Sequence, residues 1–141
     1  MSKTTCAVVL SLLALSCGGN SQRNNTPTNP QAPLTVVVVL DAFSQGAVLA
    51  ASVSFDGQEI GSSDWSSFGG CVTGCLLQGT GATLPPKGTH KVTVTILRQV
   101  GDVVSYNVRG TVFLNATGTI PLPLQTPDLK AGGSVDYGVD I

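Results

Sequence analysis

The sequence predicts an all-β fold, a single antiparallel β-sandwich of about seven strands, with a small β-barrel as the alternative. Three observations carry this expectation. Charged residues make up only 11 % of the 141-residue chain and Gly numbers 17, while Val and Leu recur most among the apolar residues, a mixture suited to strands and turns. From Leu34 onward, runs of strand formers alternate with turn residues, and no window of about 11 residues repeats its apolar positions at helical spacing. The alternating stretches Lys91 to Gln99 and Val103 to Leu114 are long enough to define strands on their own.

Taken in order, Thr35 to Leu40 (TVVVVL) is apolar on both faces, which places it in the middle of a packed sheet. Val53 and Phe55 precede Asp56-Gly57, a two-residue hairpin signal whose positive-φ positions Asp and Gly can fill. That register sets Val53 opposite Ile60. Lys91 to Gln99 and Val103 to Leu114 read as a second hairpin around Gly101, with Ile96 opposite Tyr106 and Val94 opposite Val108 through a three- or five-residue turn. Ile120, Leu122 and Leu124 alternate too, but Pro121 and Pro123 remove ladder donors and confine that strand to an edge. Val135 to Ile141 supplies the last strand, and the stretch from Gly61 to Gly81 reads as a long loop.

The segment Leu84 to Ile96 (LPPKGTHKVTVTI) resembles the turn-and-strand entry of immunoglobulin-like and fibronectin-III-like domains of bacterial surface proteins. It covers about a tenth of the chain and carries no binding residue across. What it implies is an immunoglobulin-like sandwich over residues 34–141.

The N-terminus reads as an address. Lys3 gives a positive start, Ala7 to Leu15 (AVVLSLLAL) a mostly apolar run, and small residues surround Cys17, the pattern of a secretory signal over residues 1–16. Nine residues as a helix rise only about 14 Å against a hydrocarbon core of roughly 30 Å, too short for a permanent span. The stretch Leu13-Ala14-Leu15-Ser16-Cys17-Gly18-Gly19 resembles the lipobox of bacterial lipoproteins, in which a peptidase cuts before a Cys already carrying a diacylglycerol. That resemblance implies lipidation (and palmitate) on Cys17, a membrane anchor, and, with Gly18 in place of Asp after the Cys, the outer membrane of the cell envelope. Its usual pattern places Leu where Ala14 stands, and the same residues also fit ordinary secretion as a soluble protein. Residues 18–33 (GGNSQRNNTPTNPQAP) hold one apolar side chain, Ala32, besides three prolines, and are expected to be a disordered tether spanning roughly 20–25 Å.

If Cys6 leaves with the signal and Cys17 carries lipid, Cys71 and Cys75 remain as an even pair in a Gly-rich stretch. In an oxidising compartment they are expected to close a small disulfide ring. Zinc is the alternative, but it needs two further ligands and the chain has one His.

Composition excludes several partners. The formal charge is −1, and losing Lys3 leaves six basic against eight acidic side chains, −2, with the basic ones scattered. Nothing here neutralises a phosphate backbone, so no nucleic acid is expected.

No nucleophile elbow, phosphate-binding Gly loop or metalloprotease helix appears. His90 reads as an exposed strand-end residue. Asp56, Glu59 and Asp64 form the one group of carboxylates that the first hairpin would gather, for acid/base work or calcium, and Asp56 already has a turn to make. No catalytic residue, metal or cofactor is expected and the chain is not read as an enzyme. The expected role is a non-catalytic interaction or structural module with an envelope protein or glycan as partner. The alternative is a carbohydrate-binding module using Trp65 and Phe68, set among serines in a chain of seven aromatics. Against it stands the reading that both rings fold back over one end of the sandwich.

Overall fold

Where Val and aliphatic residues alternate with polar ones, each strand turns one set of side chains inward, and the sandwich follows from which strands must share that interior. In the computed structural model the described residues are 32–42, 47–101, 104–115 and 118–141. The expected signal peptide, Cys17 and nearly all of the tether lie outside them, as does the turn residue Val103. The body runs from Ala32 to Ile141.

Nine strands are present among the described residues: β1 (Leu34–Ala42), β2 (Ala47–Phe55), β3 (Gln58–Asp64), β4 (Cys75–Gly81), β5 (Thr89–Val100), β6 (Val104–Leu114), β7 (Gly118–Gln125), β8 (Asp128–Leu129) and β9 (Ser134–Asp140). They form two antiparallel sheets, one ordered β9-β5-β2-β3, the other β4-β1-β6-β7 with the short β8 beside the start of β6. The sheets face each other as a sandwich and do not close into a barrel. The count exceeds seven because Cys75 to Gly81 is a strand, not loop, and because β8 adds a two-residue pairing.

The interior is built from alternate residues of every long strand. Val36, Val38 and Leu40 of β1, Val108 and Val112 of β6, Val53 of β2 and Val92, Val94 and Ile96 of β5 are all fully buried. Burial of each such side chain contributes roughly 1.5–3 kcal/mol. β1 sits between β4 and β6, as its two apolar faces require, although Val37 and Val39 on its outer face are only half-buried. Two phenols tie one sheet to the other. The Tyr137 hydroxyl of β9 donates to the Val108 carbonyl of β6 at 2.6 Å, and that of Tyr106 bonds Gln99. Burial pushes both phenols up to about 12.

The second hairpin is absent. β5 pairs with β2 and β9, so Val94 lies opposite Val53 and Val135, and Ile96 opposite Ala51. β6 pairs with β1 and β7, with Val108 opposite Leu40 and Tyr106 opposite Ala42. The chain therefore changes sheets after Gly101. Both strands turn their apolar sets to one interior, a condition that two strands facing each other across a core satisfy as well as two neighbours in one sheet.

In the first hairpin, Asp56 (φ 50°) and Gly57 (φ 85°) form the two-residue turn, which sets Phe55 opposite Gln58. The register then shifts between Val53 and Ser54, so Val53 pairs with Gly61 and not with Ile60. A bulge of this kind re-aims a side chain without breaking the strand. Its use is visible at the side of the sandwich, where the edge strands β3 and β4 of opposite sheets approach each other. A Cβ on Gly61 would stand 2.2 Å from the Gln78 carbonyl oxygen, and one on Gly79 would stand 2.7 Å from Ile60 Cγ1. Both glycines are needed for contact, not for turning.

At the other side, β7 is an edge strand, with Pro121 opposite Thr111 and both prolines exposed. Gly61→Ala is expected to destabilise the domain by about 1–3 kcal/mol, because the obstacle is backbone and cannot rotate away. Urea unfolding of Gly61→Ala beside Ser62→Ala checks this; the exposed Ser62 variant should stay within about 0.5 kcal/mol of the parent.

Candidate functional site

The chemistry-bearing residues gather at the two opposite ends of the sandwich. At one end, Trp65 to Gly74 folds over the close of β1 and the start of β2. The Trp65 N–H donates to Leu49 O at 2.6 Å, Cys71 and Val48 exchange backbone bonds of 2.6 and 3.2 Å, and Ala42 N–H reaches Val72 O at 2.8 Å. The Asp41 carboxylate accepts from Gly74 N–H.

At this end Cys71 of the loop and Cys75 just after it form the expected disulfide, S–S 2.15 Å and Cα–Cα 5.8 Å. Cys71 bridges to β2 of one sheet, and Cys75 opens β4 of the other, opposite Leu40. The ring therefore joins the layers.

The two aromatic residues of this loop part company. Trp65 is half-buried and packs on the core, while Phe68, in the short 3-10 turn Ser66–Phe68, is 83 % exposed. The fully buried plug at this end is Cys71. Asp64 accepts from Ser66 N–H at 2.8 Å and pairs with Arg98, whose guanidinium also reaches the Ser66 hydroxyl at 2.9 Å. Bonds from Ser66 first, then Arg98, hold the Asp64 carboxyl at about 2.

At the other end stands the Asp56-Gly57 turn. His90, expected to be exposed, is buried. Its Nδ1 lies 2.6 Å from Asp56 Oδ2 and its Nε2 2.7 Å from the Pro86 carbonyl oxygen. The ring stacks on Phe55 with centroids 5.3 Å apart. Lys91 N–H donates to the other Asp56 oxygen at 2.9 Å. Pairing of Phe55 with Val92 creates this arrangement, because it carries the turn after Phe55 to the start of β5. No periodicity signals it. Only a His placed where two strands of a sheet begin and end would have hinted at it.

Beside this group is a cleft of about 560 Å³, bounded by Asp56, Glu59 and Ile60 on the hairpin, by Thr80 and Thr83 after β4, and by Pro85-Pro86. Glu59 faces this cleft, Asp56 is bonded to His90, and Asp64 lies at the far end of β3. The seven residues of strand from Gln58 to Asp64 span roughly 20 Å, so the hairpin keeps Asp56 and Glu59 at the cleft and sets Asp64, expected to join them, apart. Among the described residues no group of three metal-ligating side chains occurs.

Both members of the His90–Asp56 pair are shifted toward their charged forms. The hydrogen bond with Asp56, then the Pro86 carbonyl, raises His90 above its usual range, and the bond to His90 followed by that from Lys91 lowers Asp56. A raised histidine stabilises the fold fully below its unfolded value, near 6.5, and that contribution is lost as pH rises through the folded pKa. A lowered carboxylate stabilises above its unfolded value, near 3.8, and the gain is lost as pH falls through the folded pKa.

The chain matches no protein-family model, and neither a curated protein nor a solved structure shows significant similarity to it.

Two outcomes follow from this geometry. The double variant Cys71→Ala/Cys75→Ala is expected to lose about 2 kcal/mol in urea unfolding, the size set by closing so short a ring, and dithiothreitol should lower the parent to the same midpoint. Asp56→Asn is expected to lower Tm most in the window between the lowered Asp56 and raised His90 values, with the difference shrinking on either side; scanning calorimetry across pH checks this.

Proposed function

We propose that this chain is a lipid-anchored protein of the bacterial cell envelope whose β-sandwich is a non-catalytic interaction or structural module. The observation that carries the reading is Cys17, placed after the apolar run Ala7 to Leu15 and before sixteen residues poor in apolar side chains. Removal of residues 1–16 and acylation of the Cys17 thiol would leave 34–141 beyond a membrane-bound N-terminus, with the outer membrane as the destination that Gly18 favours. Among the described residues no helix is long and apolar enough to cross a membrane.

The body supports a role in display more than in turnover. His90 and Asp56 are engaged with each other, with Pro86 O and with Lys91 N–H, and Asp64 is engaged with Ser66 and Arg98. Groups held by structural bonds at both ring nitrogens or both carboxylate oxygens are poorly placed to relay protons to a substrate.

A second reading, a carbohydrate-binding module, is favoured by one observation, the exposed Phe68 ring beside half-buried Trp65. A planar apolar ring in solvent is a stacking surface for a sugar.

Radiolabelled palmitate should enter the protein and sediment it with membranes, and Cys17→Ala should remove the label and release the chain to the soluble fraction; a membrane-bound, labelled Cys17→Ala would sink the anchor. On glycan arrays, the second reading expects binding that Phe68→Ala abolishes, and an array that Phe68→Ala leaves unchanged removes its basis.

A further inference from the structure

One wall of the cleft is held by a single titrating ring. Pro86 O accepts from His90 Nε2 at 2.7 Å, and Asp56 Oδ2 lies 2.6 Å from Nδ1 on the opposite side of the same ring. A carbonyl oxygen has no proton to give. An ionised carboxylate has none either. Both ring nitrogens must therefore be donors, which only the imidazolium provides.

We propose that His90 is a pH-operated latch, whose imidazolium clasps the Pro85-Pro86 wall of the cleft to the Asp56 turn and whose neutral ring lets that wall go.

The choice between the two bonds on deprotonation follows from charge. A neutral imidazole keeps one N–H, and the tautomer that donates to the carboxylate retains the charge-assisted bond. Nε2 then presents a lone pair to the Pro86 carbonyl oxygen at a distance at which two acceptors repel. Release is thus local to Pro86, and the Asp56 contact outlasts it.

The surroundings limit how far the loop can move. Gly88 exchanges two backbone bonds of 2.9 Å with Ile141, the residue that follows β9, and neither bond involves His90, so the C-terminal end of the loop stays pinned there. On the other flank, Gly81 is at the end of β4, opposite Leu34. Movement is confined to the segment between, Ala82 to Lys87, which includes the cleft-lining Thr83, Pro85 and Pro86.

The titratable groups on the elements packed around the ring are Asp56 and Glu59 on the hairpin, Lys87 in the loop, Lys91 on β5 and Asp140 on β9 next to Val139, the strand partner of His90. Asp140 is occupied by the Thr89 hydroxyl at 2.9 Å, and Lys91 Nζ lies 3.7 Å from Asp136. Among the described residues, Asp56 is the one carboxylate bonded to the ring. The direction of the shift on His90, upward, agrees with the geometry.

The device gives the cleft two states without any ligand. Below the folded pKa of His90 the wall is fixed; above it the wall is loose, and any polar molecule held between Glu59 and Pro85 loses one side of its enclosure.

The test is NMR on the full chain in detergent micelles. The His90 ring carbon–proton signals should titrate above 6.5, and the Pro86 carbonyl-carbon signal should move upfield, as a carbonyl that loses its donor does, in a loop step at the same pH, while the carbonyl signals of Val94 and Val112 hold. Asp56→Asn should bring the His90 titration down and move the loop step with it. A His90 titration at or below 6.5, a Pro86 carbonyl signal equal on both sides of the step, or a loop step that stays in place in Asp56→Asn each overturns the latch.

Discussion

The pairing of β5 with its two neighbours is the constraint on which the molecule depends. Phe55 opposite Val92 and Val139 opposite His90 fix where β2 and β9 lie. With that register, Val92, Val94 and Ile96 enter the core, His90 meets Asp56 at one end, and Arg98 meets Asp64 at the other. A slip of one residue would turn all three apolar side chains outward and separate both polar pairs at once. Core and ends are thus specified by the same ladder, so the polar groups report on a register that hydrophobic burial enforces.

Much of the fold was legible because it rests on rules that act within one strand or one turn. The two-faced apolar run of β1, the alternation of β5 and β6, the last strand β9, the Asp56-Gly57 turn, the edge position of a strand holding Pro121 and Pro123, and the pairing of Cys71 with Cys75 all follow from local chemistry. What was not legible depends on partners. Lys91 to Gln99 and Val103 to Leu114 looked like a hairpin because both alternate and stand close in sequence, yet they belong to different sheets. β4 was hidden by its composition: Gln78, Gly79, Thr80 and Gly81 read as loop, and only the narrow seam against Gly61 explains why a strand there needs glycine. His90 was read as exposed because its three contacts come from Phe55, Asp56 and Pro86, none of which alternation brings near it.

The two ends divide the covalent and the protonic chemistry of the domain between them. The disulfide end is knit by backbone bonds from Ala42, Val48 and Cys71 as well as by sulfur, so its order has several independent supports. The hairpin end relies on fewer contacts, and one of them changes with a proton. A domain built in this way has one end insulated from its surroundings and one end coupled to them, and the cleft lies at the coupled end.

The closed seam between β3 and β4 has a further consequence. It conceals two of the four lateral margins of the sheets, leaving those of β7 and β9. The first is interrupted by prolines. On the second, Gln125 Nε2 already donates to the Asp136 carbonyl at 3.2 Å, and Asp136 and Asp140 add negative charge. Neighbours crowded side by side find few bare main-chain ladders to share, and a dense layer of such bodies keeps its members distinct.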